Sequence, residues 1–353
     1  MKPILNILVL ATVVPALLGQ VREPFKLGSF RQRNEVFLGL VLRDSLVVNI
    51  AQANAVLAGE KPVIPSDMKD LILRYDELRP RLYAIVNAVS STAGKRPPYV
   101  KDLKSLKTLP PVAPSTILNA AVNYREHENE MQRGNTPGPT PQEQDAINKG
   151  IPGIWDRNAG DTRQNPYLFL KAPAAVIADG EAIRIPPGRE QVDWECELAA
   201  IIGRPASHVA PSSAADYIFG WTLQNDVSDR GGRADGRFGT DWFIAKSHDT
   251  FAPIGPFIVP REFIKNPMNL SQKFILNGTV MQDSNTERMT HNVYEMVSFA
   301  SGVITLKPGD LVSMGSPAGV GAGRAKPVFM KNGDTSVCTV ESVGSLANPV
   351  VGP

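Results

Sequence analysis

The stretch VDWECELAAIIG, residues 192–203, constrains the fold more than any other part of this chain. It sets acids at every second position, Asp193, Glu195 and Glu197, inside an otherwise apolar run. In a strand, alternate side chains point to opposite faces, and each i, i+2 pair lies about 6–7 Å apart. Val192, Trp194, Cys196 and Leu198 then share one face, and the acids share the other. The AAIIG that follows shows no polar face, so the strand is expected to run into an interior. Carboxylates are poor strand residues and are expensive to bury. A fold that accepts this segment must therefore neutralise it.

Candidate partners stand elsewhere in the sequence. GWTLQND ends a second apolar strand on Asp226. If Asp226 lies beside Glu195 and Glu197, each pair of carboxylates repels by about 3 kcal/mol at about 5 Å and an effective dielectric near 20. Protonation, nearby Lys and Arg, or a divalent cation between the oxygens can relieve that repulsion. An all-oxygen set without Cys or His suits Mg²⁺, Mn²⁺ or Ca²⁺ rather than Zn²⁺. The plain alternative, an exposed sheet face with Lys partners, sits poorly with the apolar flanks. NYREHENE holds His127 and Glu130 one helical turn apart. A carboxylate there fixes the imidazole tautomer and makes a general base for water, although a solvated charged turn has the same pattern. Lys246, in DWFIAKSHDTF, is either a surface lysine with a buried stem or a cation facing a developing oxyanion. GSPAGVGAGR, residues 315–324, lacks the amphipathic helix that a phosphate loop needs. A turn whose backbone amides line a pocket fits better.

The chain has 353 residues, 42% of them hydrophobic, enough for a large core and more than one structural unit. Its net charge of +2 is spread along the chain, which argues against a nucleic-acid partner. The 30 Pro and 29 Gly point to short strands and many turns, not to a helical bundle. Two cysteines, Cys196 and Cys338, make neither a metal cluster nor a disulfide framework. Two buried thiols are the plain expectation, with a single disulfide open to an exported protein. MKPILNILVLATVVPALLGQ has the layout of a secretory signal over residues 1–19 and is too short to span a membrane. Export, periplasmic or secreted, is expected; if the apolar segment is not a signal, the protein would be cytoplasmic.

Residues 20–115 read as a small N-terminal domain and linker, with strands in FKLGSF, EVFLGLVLRD and SLVVNI and a turn at Arg43-Asp44. A helical segment follows, with Ser66 as candidate cap and Pro80 interrupting it. Residues 116–353 form the larger unit, in which 131–166 is a polar, Pro- and Gly-rich insertion of the kind that makes a lid. Asn277-Gly278 signals a hairpin, and VYEMVSFASGVI a helix with Val293, Met296, Val297 and Ala300 on one face. The fold class expected is α+β and β-rich.

Eight motifs in order, NYREHENE, YLFLKAP, VDWECELAAIIG, QNDVSDR, KSHDTFAPIGP, LNGTVMQDSNT, LKPGDLVSMGSPAGVG and VGSLANPVV, carry a resemblance. From about residue 115 onward the chain resembles the fumarylacetoacetate hydrolase family, and residues 25–55 fit its leading domain more loosely. The resemblance implies a mixed β-roll or pseudobarrel with flanking helices and a small N-terminal domain. It also implies a homodimer that holds Mg²⁺, Mn²⁺ or Ca²⁺ and acts on small oxo acids. Glu195, Glu197 and Asp226 fall on the metal ligands, and His127 and Glu130 on the water-activating pair. Lys246 and Arg230 fall on basic residues facing the substrate, and Lys171, Ser316 and Arg233 on further substrate-contacting positions. Ala120 replaces a fourth ligand of the name-giving hydrolase, which points to the broader three-carboxylate subfamily. His248 replaces a usual Phe. The activity implied is hydrolysis of a C–C bond in a 2,4-dioxo, acylpyruvate-like acid, by water activated at His127 and Glu130. An oxo-acid decarboxylase, an isomerase or hydratase, and a non-catalytic exported binding protein are the alternatives.

Overall fold

Strands dominate, and Pro and Gly keep them short. A computed structural model describes residues 23–91, 96–131, 140–142, 145, 149–156, 158, 160–233 and 241–353. The expected signal segment 1–19 and part of the insertion 131–166 lie outside the described residues. Among the described residues, no helix is long and apolar enough to cross a membrane.

The largest sheet has 12 strands. Its main path runs Val100–Asp102, Leu46–Asn49, Glu35–Leu42, Lys26–Gln32, Ala252–Pro260, Ile218–Asn225, Cys196–Ile202, Leu311–Ser313, Ile117–Ala120 and Leu168–Lys171. The leading strands join the rest where Lys26–Gln32 lies antiparallel to Ala252–Pro260. A five-stranded sheet is built from Thr279–Asn285, Ser271–Leu276, Thr335–Val340, Gly344–Val351 and Ile183–Arg184. The Asn277-Gly278 hairpin forms as expected, with both residues at positive φ, 51° and 80°.

The strand Cys196–Ile202 is buried along its whole length. Leu198, Ala200 and Ile202 enter one hydrophobic cluster, while Ala199 and Ile201 enter another, shared with the helices Met68–Leu73 and Tyr75–Ser90. That explains AAIIG: a strand between two cores needs no polar face.

The helical segment differs from its expected form. Asp67, not Ser66, caps Met68–Leu73, and the break falls at Arg74. Pro80 lies inside Tyr75–Ser90. Proline removes one backbone bond there, but Leu78, Leu82, Ile85 and Val86 are fully buried and hold the helix by tertiary packing.

The cysteines also differ from the thiol expectation. Cys196 and Cys338 form a disulfide, with Cα atoms 5.2 Å apart, between the 12-stranded sheet and the five-stranded one. Their sequence separation of 142 residues hid this pairing.

Helix Val293–Val303 buries Val293, Met296, Val297 and Ala300, as its spacing predicts. Asn292 and Glu295 close a capping box at its start. Glu295 also receives both terminal nitrogens of Arg163 at 2.9 Å. Burial works to raise the Glu295 pKa, but the nearby His291 ring, Arg163 and the Asn292 amide pull it down to about 2. A depressed carboxylate contributes stability above its unfolded value of 4.5 and loses it as pH falls through the folded value. Glu295→Gln is therefore expected to flatten the acid limb of stability between pH 4.5 and about 2. After allowance for solvent screening, the loss at neutral pH should be on the order of 1–2 kcal/mol, read by urea unfolding across that range.

Candidate metal centre

Strand register assembles the acids. Cys196 pairs with Asn225 and Glu197 with Gln224, so the chain leaving Asn225 runs past Glu195. The Asp226 amide donates to the Glu195 carbonyl at 2.8 Å. Glu195, Glu197 and Asp226 are buried, and each offers an oxygen within 4.8 Å of the others.

Glu195 receives Arg230 Nη2 at 2.6 Å on one oxygen and Lys246 Nζ at 2.7 Å on the other. Lys246 also reaches Asp226 Oδ2 at 2.7 Å, and Lys171 bonds Asp226 Oδ1. Burial opposes ionisation of Glu195, but the charges of Lys246 and Arg230 outweigh it and hold the carboxyl below the usual range. Burial likewise opposes the Arg230 charge, and Glu195 and Asp193 overcome it. Lys171 is brought down to about 8 by burial, against the pull of Asp226.

Among the described residues, Glu197 lacks a cationic partner of this kind. Its Oε2 accepts from the Ser313 hydroxyl and, at 3.1 Å, from the Gly315 amide. Its Oε1 has no hydrogen-bond partner among the described residues. Burial, then the charges of Asp226 and Glu195, push its pKa well above the carboxylate range. A buried acceptor left unmatched is costly. An orphan oxygen among all-oxygen donors fits a hard dication, and the site has the donor set of a Mg²⁺ or Mn²⁺ centre.

Asp193 does not join these ligands, although simple alternation puts it on their face. Val192–Asp193 is a separate short strand paired with Ser228–Asp229, and the regular strand resumes only at Cys196. The intervening break turns Asp193 away, to accept from Arg230 Nε at 2.8 Å and from the Gly321 and Ala322 amides at 2.6 and 3.0 Å. The glycine-rich turn directs its Gly319, Gly321 and Ala322 amides to the Glu130 and Asp193 carboxylates of this chain.

His127 is 3% exposed, on the short helix Arg125–Met131. Its Nδ1 lies 3.2 Å from Glu130 Oε2, and it is close enough to Glu195 to act on that carboxylate electrostatically. Both Glu130 oxygens lie 3.1 Å from the Gly319 amide. Ser316 is buried and receives Gln282 Nε2 at 2.8 Å. Arg233 ends the turn Arg230–Arg233, and its side chain lies outside the described residues. His248 approaches Asp229 Oδ2 at 3.3 Å, an oxygen also held by Arg189 at 3.1 Å. Ala120 is buried at the end of Ile117–Ala120.

Sequence reasoning missed three supporting groups. Ser313 fixes Glu197. Gln282 bonds the Cys196 amide as well as Ser316. Asn123 ties the turn before His127 to the carbonyls of His291 and Met314 at 3.0 and 2.9 Å. Gln282 stands in a mostly polar strand, Thr279–Asn285, so the sequence carried no signal that its side chain is the buried one there.

A β-rich fold whose buried carboxylate triad adjoins a His–Glu pair defines a class of metal-centred proteins. The chain belongs to the fumarylacetoacetate hydrolase family: residues 116–351 match the family model for the fumarylacetoacetate (FAA) hydrolase C-terminal region. A fumarylacetoacetate hydrolase domain-containing protein 2 homolog from Dictyostelium discoideum is 31% identical over 322 residues, 89% of this chain and 92% of that protein. The mitochondrial oxaloacetate tautomerase fahd2 of Xenopus laevis is 37% identical over 188 residues, which cover 53% of this chain and 59% of the tautomerase. The crystal structure of maleylpyruvate hydrolase from Sphingobium sp. SYK-6, in complex with manganese(II) ion and pyruvate, superposes with a TM-score of 0.65 at 26% identity, covering 93% of this chain and 99% of that one.

Proposed function

We propose that this protein is a divalent-metal-dependent enzyme that cleaves a C–C bond in a 2,4-dioxo or related oxo acid by hydrolysis. The observation that carries this is the buried Glu195–Glu197–Asp226 triad with His127 and Glu130 beside it. A Mg²⁺ or Mn²⁺ ion bound there would supply Lewis-acid polarisation of the oxo-acid oxygens. Glu130 fixes the His127 tautomer through Nδ1, which leaves Nε2 to take a proton from water. Lys246 and Arg230 bring positive charge to the place where substrate charge develops. Lys171, Ser316 and Arg233 complete the substrate-contacting set. The maleylpyruvate hydrolase relative, solved with manganese and pyruvate, supports this reading.

A second reading is favoured by the oxaloacetate tautomerase relatives. The same pair can move a proton between carbon and oxygen without water. Decarboxylation is a third use of the same centre. Turnover of acetylpyruvate to acetate and pyruvate, against enol–keto exchange and CO₂ release from oxaloacetate, all with Mn²⁺, distinguishes them. Loss of all three with Mn²⁺ binding intact would leave a binding protein. His127→Ala is expected to lower kcat by about 10²–10⁴-fold, with Mn²⁺ affinity kept; unchanged turnover would remove the pair from the chemistry.

The disulfide supports an oxidising compartment and so the export reading, which the mass of the mature chain tests. Family kinship supports a homodimer, testable by sedimentation velocity.

A further inference from the structure

We infer that the Gly319–Gly323 loop, anchored on Asp193, is a latch that sets the position of Glu130, and through it His127, relative to Arg230. This rests on the reading of His127 and Glu130 as the proton-transferring pair.

The connections are continuous. The Gly319 amide meets both Glu130 oxygens at 3.1 Å. Two residues on, Gly321 and Ala322 donate to opposite oxygens of Asp193 at 2.6 and 3.0 Å. Asp193 then receives Arg230 Nε at 2.8 Å, and Arg230 Nη2 reaches Glu195 at 2.6 Å. A fully buried acid outside the carboxylate triad is thereby joined to the helix of His127 on one side and to a candidate metal ligand on the other.

The glycines are there because the loop leaves no room for side chains. At Gly323 a Cβ would lie 2.3 Å from Glu130 Cγ and Cδ. At Gly321 it would lie 1.9 Å from the Val328 carbonyl oxygen and 2.7 Å from Asp193 Oδ1. At Gly319, with φ +102°, it would lie 2.2 Å from the Met281 carbonyl oxygen. Arg324 closes the turn by donating to the carbonyls of Met281 and Gly319 at 2.6 and 3.3 Å. The loop is thus wrapped around two carboxylates, neither of them a metal ligand.

Gly323→Ala forces Glu130 away from the Gly319 amide. A displacement of about 1 Å at a reacting group costs about 10²-fold in rate. Gly323→Ala is expected to lower kcat by about 10- to 100-fold, with KM and Mn²⁺ affinity, measured by calorimetry, within about twofold. Asp193→Asn loosens the same loop and frees Arg230, so it should lower kcat and raise KM together.

The decisive comparison is a double-mutant cycle. Glu130→Gln alone should cost as much as Glu130→Gln with Gly323→Ala, because the loop acts through Glu130. Additive losses, or Gly323→Ala turnover equal to that of the parent, would overturn the latch. If Gly323→Ala does not fold, the same cycle with Asp193→Asn decides it by its kcat component. His127→Ala separates the two levels. Turnover kept in that variant sinks the proton-transfer reading, whereas the crystallographic position of Glu130 in Gly323→Ala, displaced or unmoved, still judges the latch.

Discussion

Glu197→Gln is expected to abolish Mn²⁺-dependent turnover while making the metal-free protein more stable. The two effects share one cause. Among the described residues Glu197 has no cationic partner of the kind that serves Glu195 and Asp226, and it faces both acids in a buried place. The amide oxygen of Gln can keep the Ser313 and Gly315 bonds, and the amide nitrogen fills the orphan position without charge. Loss of a ligand should weaken Mn²⁺ by at least about 10²-fold and turnover by about 10³-fold or more, about 4 kcal/mol of barrier. The metal-free form has its own signature. A carboxyl whose folded pKa is raised contributes stability below its unfolded value of 4.5 and loses it as pH rises through the folded value. Chelator-treated protein should therefore weaken as pH climbs from 4.5 toward neutrality, and Glu197→Gln should remove that slope. Added Mn²⁺ should raise the melting temperature of the parent and not of the variant. A variant that still binds Mn²⁺ like the parent would remove Glu197 from the site.

The second large effect is on stability. Replacing both Cys196 and Cys338 by Ala opens a loop of 142 residues in sequence separation. In the chain-entropy account a loop of this size is worth about 4–5 kcal/mol. The melting temperature should fall by roughly 5–10 °C in a chain this long. The bond is fully buried, so mild reductant should leave it intact until the protein unfolds. The position adds a functional consequence. Cys196 sits between two ligands of the triad, so its loss should weaken Mn²⁺ as well as the fold. Equal melting temperatures with and without full reduction in denaturant followed by refolding would refute the staple.

Much of the centre was legible because its residues are anomalous where they stand. Acids within an apolar run are rare enough to demand a partner, and Asp226 at the end of a second such run supplied it. Periodicity failed where the chain departs from it. Strict alternation cannot see the break at Trp194–Glu195, and that break decides that Asp193 holds a loop and not an ion. Pairing over 142 residues is equally invisible to local pattern, so the disulfide was not foreseen over two thiols. Pro80 misled because local propensity was weighed without the four apolar side chains that bury its helix. The hairpin at Asn277-Gly278 and the helix at Val293–Val303 were read correctly, since each is specified by a few neighbouring residues.

The strand Cys196–Ile202 stands as a party wall between two interiors. Leu82 and Ile85 belong to the same close-packed cluster as Ala199 and Ile201, so a methylene added or removed there disturbs the packing behind the strand. Ala199 stands two residues, and Ile201 four residues, along the strand from Glu197. The strand that carries Glu197 is thus packed from its far side by the leading helices, whose buried side chains lie in a different interior from most of its other neighbours.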